Sequence, residues 1–140
     1  QYFCQTQLEE ERDYVVFLFN PAEDRETARR IAELRKGTTG GHADEEETAI
    51  MRIIRPDLVH MDRVALESGR DQARLPLPNV YTGIWWYARY PNHYAGDATG
   101  SDPLIGHLVL DSSVAQLKEV IAMIKADTVA LELQNRFFGH

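Results

Sequence analysis

Residues 41–48, Gly-His-Ala-Asp-Glu-Glu-Glu-Thr, set one imidazole and four carboxylates in a row after a glycine-rich stretch. If a helix begins near His42, then His42, Glu45 and Glu46 share one face at i, i+3 and i+4. Histidine and carboxylate on one face can ligate Zn²⁺ or Mn²⁺. They can equally hold a water and take its proton. A plainer reading uses the same residues. Acidic side chains favour the positive end of a helix dipole, and three successive glutamates suit a solvated face. Spacing alone leaves both readings open.

Residues 83–97 (GIWWYARYPNHYAGD) form the second constellation, with Trp85, Trp86, Tyr87, Arg89, His93 and Asp97 in a short span. Adjacent aromatic rings with polar tips make rigid walls for a small molecule and offer a few hydrogen bonds. They can also be a core cluster tying a loop to a sheet, since burying such rings is favourable by area. His93 and Asp97 are candidates for a histidine–carboxylate pair, or for ordinary loop residues. His60 follows an apolar pair and reads as a structural or surface residue, His107 has no acidic cluster nearby, His140 is terminal, and Cys4 lacks a basic neighbour that would favour its thiolate. No phosphate-binding loop, nucleophile-elbow motif or dinucleotide fingerprint occurs.

The chain that must position these groups has 140 residues, of which 44% are hydrophobic, so one domain over residues 1–140 with its own core is expected. Fifteen basic residues stand against 22 acidic ones, a net charge of −7, which argues against a nucleic-acid partner. A metal cation or a small polar molecule suits an acidic chain better. The single cysteine excludes an internal disulfide and a cysteine-based zinc site, and it fits a reducing, cytoplasmic setting. No apolar run reaches the ~18 residues of a membrane helix. No secretory signal leads the chain, and Gln1 reads as a cut or processed start.

Residues 1–12 read as the end of a helix. Residues 14–19 (YVVFLF) are a continuous apolar run of β-preferring types, the pattern of a strand buried on both faces of a parallel sheet. Asn20 and Pro21 then open a helix expected over 21–36 and ended by Gly37. Strand followed by helix is half of a βαβ unit, which favours an α/β fold. A loop is expected over 37–41 and a second helix over 43–54, stopped at Arg55-Pro56. A turn-like stretch over 58–64, a polar connection over 67–78, a strand or ordered loop over 80–90 and a loop over 91–103 follow. The last helix spans 112–137, with Val114, Leu117, Ile121 and Ile124 on one face and a break near Asp127-Thr128.

Residues 41–64 (GHADEEETAIMRIIRPDLVHMDRV) resemble the signature of the creatininase, or creatinine amidohydrolase, family. That signature runs His-Ala-Gly-Glu-x-Glu-Thr-Ser, then a helix, then Pro-Asp-Leu-Val, matched here by Pro56 to Val59. The resemblance implies a layered α/β/α sandwich with a mainly parallel sheet, of which this chain is the C-terminal part. It implies a hydrolytic site with one or two divalent ions, Zn or Mn, and a homo-oligomer, often hexameric. His42 falls at the catalytic histidine, acting as acid and base on the leaving group. Glu45 falls at a metal-binding glutamate, and Glu47 and Thr48 at a supporting Glu-Thr pair. Trp85, Trp86, Tyr87 and His93 are the candidate substrate-binding residues.

Three positions depart from the pattern: Asp44 replaces glycine, Ala49 replaces serine, and Gly41 stands where creatininase itself has a glutamate. The family's other ligand motifs, Glu-x-His-Gly and Asn-Gly-His-Gly-Gly-Asn, are not in these residues. The expectation is therefore that an N-terminal half or a partner chain brings them, and that this piece alone is inactive. A cyclic amide is the expected substrate. A ring-opening hydrolysis of an oxidised sugar or cyclitol is the alternative, because a Trp-Trp-Tyr wall suits a polyhydroxylated ring. A non-catalytic subunit or interaction module is the third reading.

Overall fold

A computed structural model describes residues 1–22, 24–37 and 40–140. In chain order it contains α1 (Tyr2–Thr6), α2 (Arg25–Leu34), α3 (Glu45–Ile54), α4 (Trp85–Arg89), α5 (Pro103–Ala126) and α6 (Ala130–Phe137). Short 3₁₀ turns cover Gln7–Glu9, Pro56–Leu58 and Met61–Leu66. The chain divides into two compact units, one of Gln1–Ala22 with Ser113–His140 and the other of Glu23–Ser112. No helix among the described residues is long and apolar enough to cross a membrane.

The expected parallel-sheet α/β sandwich is not what these residues form. Among the described residues the only β pairing is an isolated antiparallel bridge between His42 and Ala95. Residues 14–19, expected as a buried strand, carry no strand pairing. An apolar β-type run specifies a strand only when a neighbouring backbone takes its N–H and C=O groups. Here side-chain amides flank the run instead. The buried Gln134 donates from Nε2 to the carbonyls of Arg12 (3.0 Å) and Tyr14 (2.9 Å). At the other end Gln116 accepts from the Ala22 N–H at 2.8 Å and donates to its carbonyl at 3.1 Å. A glutamine amide offers the same donor and acceptor as a peptide group. Between these anchors Phe17 and Leu18 stay 47% and 52% exposed, which a doubly buried strand would not allow.

The helices follow local chemistry closely. α2 starts at Arg25 rather than at Pro21, because Asp24 caps it by accepting from the Thr27 N–H at 2.9 Å. α3 starts two residues later than expected, at Glu45, with Asp44 as its cap. The 80–90 segment, expected as a strand or an ordered loop, holds no strand: a turn at 83–84 leads into the short α4. α5 begins at Pro103, well before residue 112, since proline suits a first helical position. It ends at Ala126, and α6 resumes at Ala130, so the break near Asp127-Thr128 is present. The loop expected over 37–41 includes Thr38 and Thr39, and the helix expected over 21–36 includes Glu23; these three lie outside the described residues.

The core of the 23–112 unit is small. Ala49 of α3 and Ile105 of α5 have no exposed surface, and Ala95 and Ala98 lie buried beside Asp44, Glu45 and Ser101. The side chain of Arg52 on α3 also donates to the Ser101 carbonyl. The two helix backbones meet at Gly106, where any Cβ would collide with the Ala49 carbonyl. Gly106→Val should therefore destabilise the protein by about 2–3 kcal/mol through overpacking. Gly83→Ala should be near neutral, because a Cβ there meets nothing within 4 Å. Urea unfolding of both variants measures the difference.

Candidate functional site

The glycine-rich turn, the start of α3 and the 95–101 loop build the site together. His42 exchanges both backbone hydrogen bonds with Ala95, each 3.0 Å. That close approach demands glycine at position 41, since a Cβ there would overlap the Ala95 carbonyl. Ala43 then takes a left-handed conformation, φ 58°. It reverses the chain so that Asp44 caps α3, accepting from the N–H groups of Glu46 (3.0 Å) and Glu47 (3.1 Å). The helix therefore begins after His42, and the i, i+3, i+4 face does not extend to that residue.

His42 and Glu45 point to different partners. Glu45 is 1% exposed, and its carboxylate accepts from the backbone N–H of Gly37 at 2.9 Å and of Lys36 at 3.1 and 3.2 Å. The Arg35 Nε lies 3.7 Å away. Arg35 extends its other nitrogens to Asp44 (3.1 Å) and Glu46 (3.0 Å), so one guanidinium serves three of the four carboxylates. Glu47 is the fourth. Its Oε2 lies 3.1 Å from His42 Nδ1 and accepts the Ala43 N–H at 2.8 Å. The His42 side chain is 56% exposed. A carboxylate beside Nδ1 leaves Nε2 as the ring nitrogen turned away from Glu47.

The aromatic segment enters beside this pair. Trp86 on α4 lies edge-on to His42, with ring centroids 5.8 Å apart and planes at 75°. Its indole Nε1 donates to His93 Nδ1 at 2.9 Å, while Tyr90 packs on it at 4.9 Å. The structure thus brings Trp86 to His42, with His93 bonded to the indole of Trp86. Trp85 turns to a separate groove of about 690 Å³, walled by Leu75, Pro76, Leu77, Pro78, Val80 and Tyr81. Tyr87 lies under the Arg74 guanidinium, 5.1 Å away. Asp97, weighed as a partner for His93, instead accepts from the Thr99 N–H at 2.9 Å.

Asp71 in the groove wall was not singled out from the sequence. It receives Arg89 Nε at 2.7 Å and, more closely, Arg89 Nη2. The two are separated by α4 and an irregular connection, so no local pattern pairs them. The Arg89 hydrogen bonds, and after them the Ala73 N–H, hold the Asp71 carboxyl below the ordinary aspartate range.

The residues present do not by themselves fit a divalent cation. Among the described residues no three His, Cys, Asp or Glu side chains converge on a common point. The Glu45 oxygens are already engaged by N–H donors, and Arg35 adds positive charge beside them.

The sequence model of the creatininase family, described as creatinine amidohydrolase, matches residues 2–121. No curated protein and no solved structure matches the chain. The chain belongs to the creatininase family, and membership points to hydrolysis of an amide in a family that is generally metal-dependent.

Two outcomes follow from the site. Glu45→Ala strands two backbone donors and Arg35, and should cost about 3 kcal/mol in chemical denaturation. Glu45→Gln, which keeps an acceptor, should cost less. Asp71 has a lowered folded-state pKa, so its bridge to Arg89 stabilises the fold above the ordinary aspartate value and is lost as pH falls through the lowered one. Carboxyl NMR titration should find Asp71 below that ordinary value, and Arg89→Ala should move it upward.

Proposed function

We propose that this creatininase-family chain carries the proton-transfer half of an amidohydrolase that opens a small polar cyclic amide, with His42 as the acid–base group. The observation that supports the reading best is the His42–Glu47 pair. The carboxylate engages Nδ1 at 3.1 Å, and Trp86 flanks the imidazole at 5.8 Å. This leaves Nε2 as the nitrogen that meets the substrate.

In the reaction a water adds to the amide carbonyl carbon, and its proton passes to His42 Nε2. The resulting imidazolium is stabilised by Glu47. His42 then delivers the proton to the ring nitrogen as the carbon–nitrogen bond breaks, and the ring opens to a carboxylate and an amine. Glu47 orients the imidazole throughout and leaves with no net change. Trp86 excludes water from one flank of the ring.

The divalent ion expected of the family, Zn or Mn, would polarise the carbonyl and acidify the water. On our reading its ligands come mostly from an N-terminal segment or a partner chain that bears the missing motifs, within a homo-oligomer. Glu45 would join such a ligand set only by giving up its N–H partners. In this chain it positions the turn that presents His42.

With the complete enzyme, His42→Ala should lower turnover by ~10²–10⁴, the usual loss of acid–base help. Metal content should change little. Ring opening of creatinine and a panel of related cyclic amides, with elemental analysis of each preparation, measures both. Unchanged turnover would remove His42 from the chemistry.

A further inference from the structure

We infer that His93 is a positioning residue: its neutral imidazole accepts the Trp86 indole N–H and so holds the Trp86 ring edge-on against His42. The inference rests on the reading of His42 as the proton-transfer group and assigns the device that keeps its flank closed.

The chemistry of the contact is one-directional. An indole nitrogen only donates, so the group it meets at 2.9 Å must present a lone pair. That makes His93 Nδ1 unprotonated and puts its proton on Nε2. A doubly protonated imidazole has no lone pair to offer and could not make this bond.

The geometry explains why such a restraint is needed. α4 has only five residues, and Trp86 is only half-buried, so the helix alone does not select one orientation of the indole. Trp85 and Tyr90 pack on the ring at 5.4 and 4.9 Å, but apolar contact has little directional preference. The hydrogen bond to His93 supplies the direction. It sets the edge-to-face arrangement with His42, in which one ring's positive edge meets the other's negative face.

His93 is held in place for this task. Its backbone lies in the left-handed region, φ 61°, and its N–H donates to the Tyr90 carbonyl at 3.0 Å. The turn thereby returns the imidazole over the residue that immediately precedes Tyr87 on α4. Asparagine tolerates the left-handed region better than other side chains, and its amide oxygen can take the place of the Nδ1 lone pair. His93→Asn is therefore the conservative replacement, and His93→Leu the disruptive one.

The test uses the complete enzyme with ¹⁵N-labelled tryptophan and ¹³C-labelled histidine. In His93→Leu the Trp86 indole N–H resonance should move to the free-indole position. The His42 ring protons should shift as the Trp86 ring current changes. Opening of the creatinine panel should fall by about tenfold to a hundredfold, the scale expected for a misplaced catalytic group. His93→Asn should restore all three signals, which supports positioning over general support of the fold. Unchanged indole and His42 resonances in His93→Leu would overturn the inference. So would shifted resonances with full turnover. Failure of His42→Ala to lower turnover would overturn the underlying reading instead, and the resonances would still report whether the hydrogen bond exists.

Discussion

A buried carboxylate on two backbone N–H groups is the constraint on which the 23–112 unit depends. Glu45 has almost no contact with solvent and is surrounded by the Lys36 and Gly37 amides and the Arg35 side chain. Burying a charge without such partners is costly, and burying it with them ties the groups together. The loop after α2 is thus bound to the first residue of α3. The 40–44 turn between them has little freedom left. Its left-handed Ala43, its capping Asp44 and the His42–Ala95 bridge follow from that closure.

This closure decides what His42 can do. If the helix had started one turn earlier, His42 would have shared a face with Glu45 and lain near Arg35. Starting at Glu45, the helix places Glu47 under the imidazole and leaves the ring to meet Trp86. The acidic run is therefore divided by role. Asp44 caps, Glu45 anchors, Glu46 pairs with Arg35, and Glu47 lies 3.1 Å from the histidine Nδ1. A single guanidinium shared by three carboxylates offsets part of this negative charge, and the helix N-terminus favours the rest.

Much of this was legible in the sequence, and the illegible parts share a cause. The acidic cluster after glycines, the helix expected over 43–54 and ended by Arg55-Pro56, and the break after Ala126 rest on local chemistry that one stretch of chain contains. The family too was legible, because its signature is contiguous over residues 41–64. The conformation of 14–19, expected as a strand and found unpaired, was not, because an apolar run does not reveal whether a neighbouring backbone is there to pair with it. Glutamines about a hundred residues away in sequence decide that segment's hydrogen bonding. Likewise Asp71 meets Arg89, and Trp86 meets His93, through turns whose geometry no residue spacing encodes. The direction of the Glu45 side chain turned on the helix beginning at Glu45 and not at the residues before it.

Amide hydrogen exchange at Lys36 and Gly37 tests the central claim most directly, since these are the donors that Glu45 holds. The account predicts exchange much slower than at the amides of the exposed residues Val80 and Tyr81, with protection comparable to that of the Thr48 amide inside α3. Free exchange at both positions would contradict it, and would leave the Glu45 carboxylate uncommitted and available to a cation.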